Sequence, residues 1–330
     1  NITLIPGDGI GPEVIDSAVK IIDTTGVSIN WEVVEAGADT MKDYGTPLPE
    51  YVIASIKKNK VALKGPITTP IGQGFRSVNV ALRQRLNLFA NVRPIKSYEG
   101  IDSLHKGVDF IIVRENTEDL YAGIEHMVGE DAAESIKIIT RKASERICKY
   151  AFELSKAQGR KKVTLTHKAN IMKLSDGLFL ECGKKCSKEY KDIAFEDIII
   201  DAMSMKLVQS PQDYDVIVAP NLYGDILSDL SAGLIGGLGL APGANIGEEI
   251  AVFEPVHGSA PDIAGKNLAN PTSAILSGIM MLKHIGEFDA AIKLEKALAE
   301  TFKEKNNRTI DLGGNLGTKE FTREIIKNMK

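Results

Sequence analysis

The sequence predicts an α/β protein, either one large unit or about two domains. Two observations carry that expectation. Short β-branched runs alternate with amphipathic helical stretches along the 330 residues. Several of those runs also end in polar residues, with Lys168, Asp201 and Asp225 at equivalent strand ends, where open α/β sheets hold their ligands. Hydrophobic content of 43% and charged content of 25% are ordinary for a globular chain. The net charge of −4 gives no global reason to expect nucleic acid or an anionic membrane, so an anion site must be built from local basic residues. No apolar run approaches the ~18 residues needed to span a bilayer. Three cysteines, Cys148, Cys182 and Cys186, cannot all pair within one chain, and no Cys/His cluster surrounds them. They read as buried thiols of a reducing compartment. The chain opens directly into a strand at Ile2, with neither an initiator Met nor a signal-like segment. The expectation is a cytoplasmic protein, with a mitochondrial matrix protein after leader removal as the alternative.

Residues 2–6 followed by Gly7-Asp8-Gly9-Ile10-Gly11-Pro12-Glu13 read as strand, tight turn and helix start, with Pro12 suited to a first helical position. The spacing is G-x-G-x-G-P rather than G-x-G-x-x-G, a weak dinucleotide fingerprint. A strand at 29–35 and a helix at 49–59 continue the alternation, and a strand at 61–64 runs into a proline-stiffened loop carrying Thr68 and Thr69. The helix over 74–86 offers Ser77 and Asn79 at its start, as a capping pair or as ligand contacts, and Arg83 along its edge. Arg93 and Arg114 sit in apolar strands, where an arginine is rarely buried without an anionic partner. Surface snorkelling accounts for any one of the three. Together they suggest a fork-shaped receptor for several carboxylates.

Residues 118–129, with Tyr121, read as a loop before an exposed strand at 135–140, and a helix at 142–157 stops at Gly159. The strand at 162–166 delivers His167, Lys168 and Asn170 into a loop, which makes Lys168 a candidate base. A strand at 195–200 ends at Asp201. Residues 214–219 form a short strand before Asn221-Leu222-Tyr223-Gly224-Asp225-Ile226-Leu227-Ser228-Asp229, which places two carboxylates four apart on one helix face. Hard divalent cations prefer such oxygen ligands, while acids favoured by a helix N-terminus are the plainer reading. Residues 233–247 read as a glycine-rich crossing or hinge. A strand at 250–254 then feeds the loop His257-Gly258-Ser259-Ala260-Pro261-Asp262-Ile263. Three amphipathic helices follow, at 271–285, 287–306 and 318–329.

From the 7–13 turn through His167-Lys168-Ala169-Asn170 and residues 221–239 to His257-Gly258-Ser259-Ala260-Pro261, the chain resembles the β-decarboxylating dehydrogenases. That family comprises isocitrate, 3-isopropylmalate, homoisocitrate and tartrate/malate dehydrogenases, and within it the resemblance is closest to the NAD-dependent isocitrate enzymes. The resemblance implies an isocitrate/isopropylmalate dehydrogenase-like fold, two α/β domains sharing a central sheet and not a Rossmann unit. The large domain is expected at 1–89 and 237–330, and the small one at 90–236, with a dimer clasp at about 118–140. It implies oxidative decarboxylation of isocitrate to 2-oxoglutarate and CO2 with reduction of NAD, dependent on Mg2+ or Mn2+. Homoisocitrate dehydrogenase and a non-catalytic regulatory subunit of a hetero-oligomer are the alternatives.

The implied roles follow residue by residue. Arg83, Arg93 and Arg114, with Ser77 and Asn79, would bind substrate carboxylates. Asp225 and Asp229 would hold the metal, joined by Asp201. Lys168 would take the hydroxyl proton and Tyr121 would protonate C3. Residues His257, Gly258, Ser259, Ala260, Asp262 and Ile263, with Asn170 and Asn270, would bind the cofactor, and Thr68, Thr69 and Asn79 would lie near its nicotinamide. Lys168 and Asp201 would enter a neighbouring subunit's site, making the partner a second copy in a homodimer or higher homo-oligomer. Asp262, Ile263 and Ile310 stand where NADP-dependent relatives carry Lys, Tyr and Tyr, which implies NAD.

Overall fold

The computed structural model describes residues 1–38, 40–68 and 77–330, the Lys42 side chain excepted. The chain divides into two compact units, Asn1–Leu86 with Ser97–Lys106 and Ile235–Lys330, and Asn87–Lys96 with Gly107–Leu234. The first unit opens with β1 (Ile2–Ile5), α1 (Gly11–Asp23), β2 (Trp31–Val33), α2 (Thr40–Tyr44), α3 (Glu50–Asn59), β3 (Val61–Lys64) and α4 (Val78–Arg85). The second contains β4 (Ala90–Lys96), β5 (Asp109–Glu115), β6 (Glu125–Val128), β7 (Ala132–Ser135), α5 (Arg141–Ala157) and β8 (Lys162–His167). It continues with α6 (Ser175–Ser187), β9 (Ala194–Ile199), α7 (Ile200–Gln209), β10 (Val216–Ala219) and α8 (Asn221–Leu234). The chain then returns to the first unit as β11 (Pro242–Ile246), β12 (Ala251–Pro255), α9 (Thr272–His284), α10 (Phe288–Lys303) and α11 (Thr318–Asn328).

In the first unit the strand order is β2-β1-β3-β12-β11, parallel except for β11 against β12. Helix α1 buries Val14, Ile15, Ala18, Ile21 and Ile22, a stripe at helical spacing, against α9 and α11. Helix α9 is buried nearly all round, which explains its apolar composition. In the second unit the order is β4-β5-β10-β8-β9, with only β4 antiparallel. Strand β10 is buried at every position, as a central parallel strand covered on both faces must be. Its end feeds α8 after a single residue, Pro220. Among the described residues no helix is long and apolar enough to cross a membrane.

Several elements differ from expectation. The stretch read as a crossing contains β11, whose Pro242 and Gly243 obscure a strand that pairs residue for residue with β12. Helix α6 was not anticipated. The exposed strand expected at 135–140 lies earlier, as half of the solvent-facing β6/β7 hairpin. Residues 97–106, expected in the smaller domain, belong to the first unit, where the Tyr98 ring meets Phe302 edge-on at 5.2 Å.

Candidate active site

A polar constellation of the second unit forms where β4 and β5 meet α8. Antiparallel pairing sets Asn91 opposite Arg114 and Arg93 opposite Ile112, so both arginines project from one sheet face as diagonal neighbours. Both are buried, and the residues of α8 receive them. Arg114 Nε donates to Asn221 Oδ1 at 2.8 Å, and its guanidinium pairs with Asp225. Arg93 donates from Nη1 to Ser228 Oγ at 2.8 Å and to Asp229 Oδ1 at 3.2 Å, and from Nε to Asn91 Oδ1 at 2.8 Å. Gly224 permits this approach, because a Cβ there would lie 2.6 Å from Arg114 Cβ. Tyr121, on a 3-10 turn, donates its hydroxyl to Asp225 Oδ2 at 2.5 Å, and its ring lies 5.0 Å from the Arg114 guanidinium. Burial and the Asp225 hydrogen bond raise the Tyr121 phenol above its ordinary range, so it is a proton carrier at neutral pH.

Asp119, just before that turn, is buried at φ +73, a backbone region in which non-glycine residues are strained. Its Oδ2 accepts Leu222 N at 2.9 Å, tying the Tyr121 turn to the start of α8. Lys137 Nζ lies 3.6 Å from the other Asp119 oxygen, 2.6 Å from Asp176 and 4.3 Å from the centre of the Tyr223 ring.

At the ends of β8 and β9, Lys168 and Asp201 form an ion pair that holds the Asp201 carboxyl below its ordinary range. The Lys168 backbone N donates to Asp176 Oδ2 at 2.6 Å. His167 accepts Ala169 N at Nδ1 (3.0 Å), which leaves Nε2 to donate to Asp197 at 3.1 Å. Asn170 is exposed in the same loop.

The first unit carries the remaining candidates, except Thr69, which lies outside the described residues. Arg83 is buried against Glu254 at 3.2 Å, and Lys64 reaches the other Glu254 oxygen at 2.6 Å. Burial alone would raise the Glu254 carboxyl, but Lys64 and Arg83 hold it well below the usual range. Ser77 is the N-cap residue just before α4, without a capping bond from its side chain, and Asn79 Oδ1 is buried with no partner. Thr68 and Ser259 share a hydroxyl hydrogen bond of 2.7 Å. Burial lowers the His257 imidazole, which is neutral at pH 7 with its Nε2 buried and unpartnered. Asn270 bridges Thr272 N at 3.0 Å and Asp311 at 2.9 Å. Ala260 is left-handed, Gly258, Asp262 and Ile310 are exposed, and Ile263 is half-buried beside Asp262 in a 3-10 turn.

Asp225 and Asp229 lie beyond the first turn of α8, which holds no acid, so the helix-dipole reading loses force. Their partly exposed carboxylates are hard oxygen donors one turn apart and fit a divalent cation. Among the described residues no group of three acidic, His or Cys side chains converges to complete such a site, and Asp201 is engaged by Lys168. The supporting roles of Asn221, Gly224, Ser228, Asp119 and Glu254 were missed from the sequence. The only local signal was the N-x-x-G-D-x-x-S spacing.

The family described as isocitrate/isopropylmalate dehydrogenase matches residues 1–326. A probable mitochondrial NAD isocitrate dehydrogenase chain of the alpha type, from Drosophila melanogaster, is 51% identical, covering 99% of this chain and 87% of its own. A mitochondrial NAD isocitrate dehydrogenase chain from Dictyostelium discoideum, named as a regulatory subunit, is 52% identical over 99% of this chain and 91% of its own. The crystal structure of isocitrate dehydrogenase from Methylococcus capsulatus superposes with a TM-score of 0.96 at 56% identity, covering 99% of this chain and 98% of that one. The family match over residues 1–326 and the superposition at 56% identity show that this enzyme chain belongs to the isocitrate/isopropylmalate dehydrogenase family.

Proposed function

We propose that this chain catalyses the oxidative decarboxylation of isocitrate to 2-oxoglutarate and CO2 with reduction of NAD. The observation that carries this reading is the meeting of Arg93, Arg114, Tyr121, Asp225 and Asp229 at one end of the second unit's sheet. Two guanidiniums presented side by side suit a substrate with several carboxylates. Arg83 is the candidate for a third, although it already engages Glu254. Asp225 and Asp229 would hold a divalent cation, which when bound would supply Lewis-acid polarisation of the substrate's hydroxyl oxygen, and NAD would be the hydride acceptor. Lys168, from a neighbouring copy, accepts the C2 hydroxyl proton as hydride leaves. Tyr121 delivers its proton to C3 after the carboxylate departs, and Arg114 stays over its ring to hold the orientation. Ser77 and Asn79, a small hydroxyl and an amide, suit a polar third carboxylate better than an apolar branch.

The partner in this reading is a second copy. The β6/β7 hairpin exposes Met127 and Val128, α7 exposes Met205 and Val208, and α8 exposes Ile226, apolar surface that a homodimer would cover. A second reading is a regulatory subunit of a hetero-oligomer, favoured by the name of the Dictyostelium relative. The mitochondrial names of both curated relatives favour the matrix over the cytoplasm. One assay separates these readings. The purified chain alone, with Mg2+ and NAD, should turn over isocitrate with a higher kcat/KM than isopropylmalate or homoisocitrate. Absence of turnover in a correctly folded preparation would support the regulatory reading.

A further inference from the structure

The turn Gly7-Asp8-Gly9-Ile10-Gly11 has the wrong spacing for a pyrophosphate cradle, and the proposed reaction leaves it without a task. Its contacts supply one. The Asp8 carboxylate accepts three hydrogen bonds, from Ala38 N at 3.0 Å to Oδ1 and 3.2 Å to Oδ2, and from Thr68 N at 2.7 Å to Oδ2. The Asp8 backbone N donates to Pro66 O at 2.8 Å, and Ile10 N donates to Ser259 O at 2.8 Å. One short turn after β1 thus touches the loop after β3 and the loop after β12, the next two strands in the sheet.

The glycines fit these contacts. Gly7 and Gly9 have φ of +79 and +60, and a Cβ on them would lie 2.2 Å from Pro66 O and 2.0 Å from Ser259 O. Those are backbone atoms that cannot swing aside. Gly37, at φ +129, leaves the space that the Asp8 carboxylate fills, since a Cβ there would lie 2.3 Å from Oδ1. The spacing of this turn is therefore dictated by the loops pressed against it.

We propose that Asp8 is a positioning residue for cofactor binding: its carboxylate fixes the Thr68 amide, and through the Thr68–Ser259 hydroxyl pair it sets the two loops, after β3 and after β12, against which NAD is held. The inference rests on the reading of Thr68 and Ser259 as cofactor residues. A carboxylate accepting backbone N–H groups forms charge-assisted bonds, stronger than neutral ones. An asparagine offers one acceptor oxygen and turns an N–H2 group toward an amide that also donates.

The test is Asp8→Asn in the full chain, assayed at a temperature where circular dichroism shows variant and parent equally folded. Loss of one hydrogen bond to a charged group is expected to raise KM for NAD by about tenfold. KM for isocitrate should stay within about twofold of the parent and kcat should fall less than the NAD term rises. Without substrate, the Thr68 amide should exchange its hydrogen about tenfold faster than in the parent. Unchanged Thr68 exchange, or KM values for NAD and isocitrate rising together, would overturn the proposal, since general loosening acts on both. If Asp8→Asn does not fold, Gly37→Ala presses on the same carboxylate from outside the cofactor loops. It should give the same split, and an unmoved KM for NAD there counts against the clamp. Ser259→Ala separates the two levels. If it raises KM for NAD while Asp8→Asn does not, the clamp fails and the cofactor reading stands; if neither variant moves it, both fail.

Discussion

The Tyr121 hydroxyl donates to Asp225 Oδ2 at 2.5 Å while Arg114 occupies the other oxygen of the same carboxylate. One aspartate therefore orients both the candidate proton donor and a candidate substrate-binding guanidinium. Tyr121→Phe removes the proton and keeps the ring against Arg114, so turnover is expected to fall by about 10²–10⁴-fold with little change in isocitrate KM. The phenol is raised from its ordinary value of 10.0 by burial first and the Asp225 bond second. A group with a raised folded value contributes stability that is present below the unfolded value and lost as pH rises through the folded one. Ultraviolet titration of parent minus Tyr121→Phe should place this ionisation above 10.0, and Asp225→Asn should shift it downward.

Asp225 and Asp229 make the metal prediction. Asp225→Asn keeps shape and helix but removes one anionic oxygen, so Mn2+ affinity measured with isocitrate present should weaken by about tenfold or more. An acid serving only the helix dipole would cost about 0.3–1 kcal/mol of stability and leave Mn2+ binding unchanged. Parent-like Mn2+ binding by the variant would remove the metal role from Asp225.

Much of this site was legible because its main elements are local. The run Val216–Ala219 and the acids four apart on α8 announce themselves within fifteen residues of chain, as do Lys168 and Asp201 just past their strands. The contacts that hold Arg83, Arg93 and Arg114 were not legible. Arg114 meets Asp225 across 111 positions, Arg93 meets Asp229 across 136, and Arg83 meets Glu254 across 171. Residue type alone does not choose among the chain's 44 acidic side chains for such a partner. Strand β11 was missed for another reason: Pro242 is its first residue, a position where a strand tolerates proline, and Pro242-Gly243 reads locally as a turn.

The Lys64–Glu254–Arg83 cluster is buried, so its loss should be felt as stability. Lys64→Met leaves Glu254 with Arg83 and Asn245 alone, and removal of one partner from a buried pair costs about 3–5 kcal/mol. Denaturant melts at neutral pH measure it. Burial opposes ionisation of Glu254 but the two cations outweigh it and depress its value. The stability it contributes is present above the unfolded value of 4.5 and is lost as pH falls through the folded one. The gap between Glu254→Gln and parent should therefore narrow in acid. A pH-independent gap would show that packing, not charge, sets the cost.

Shared active sites give a prediction that needs no structural probe. If Lys168 enters the neighbouring copy's site while Arg114 stays in its own, Lys168→Met and Arg114→Ala chains are each inactive. Mixed after subunit exchange, they form hybrids with one site intact and one doubly damaged. At equal proportions half the dimers are hybrids, so about one quarter of parental activity should return. No recovery despite hybrids resolved by native mass spectrometry would mean that Lys168 and Arg114 of a given site come from the same chain.

Cofactor choice turns on Asp262, Ile263 and Ile310, side chains set around the 3-10 turn Pro261–Ile263 and at the start of a second, Ile310–Leu312. Asp262 and Ile310 are exposed and Ile263 is half-buried, so all three are available to a ligand. The 2′-phosphate of NADP carries nearly two negative charges and is normally met by Arg or Lys, whereas an acid accepts hydrogen bonds from the free ribose hydroxyls of NAD. Asp262 repels the first and suits the second. Ile263 and Ile310 offer the phosphate no donor. The parent should therefore prefer NAD in kcat/KM, and Asp262→Lys with Ile263→Tyr should lower the NAD value and raise the NADP value, because one change removes a repulsion and both add donors. Adding Ile310→Tyr should extend the shift in the same direction. If the double variant instead loses activity with both cofactors equally, the turn acts through its shape and Asp262 is an exposed loop acid; if the parent uses both cofactors comparably, discrimination resides elsewhere in the chain.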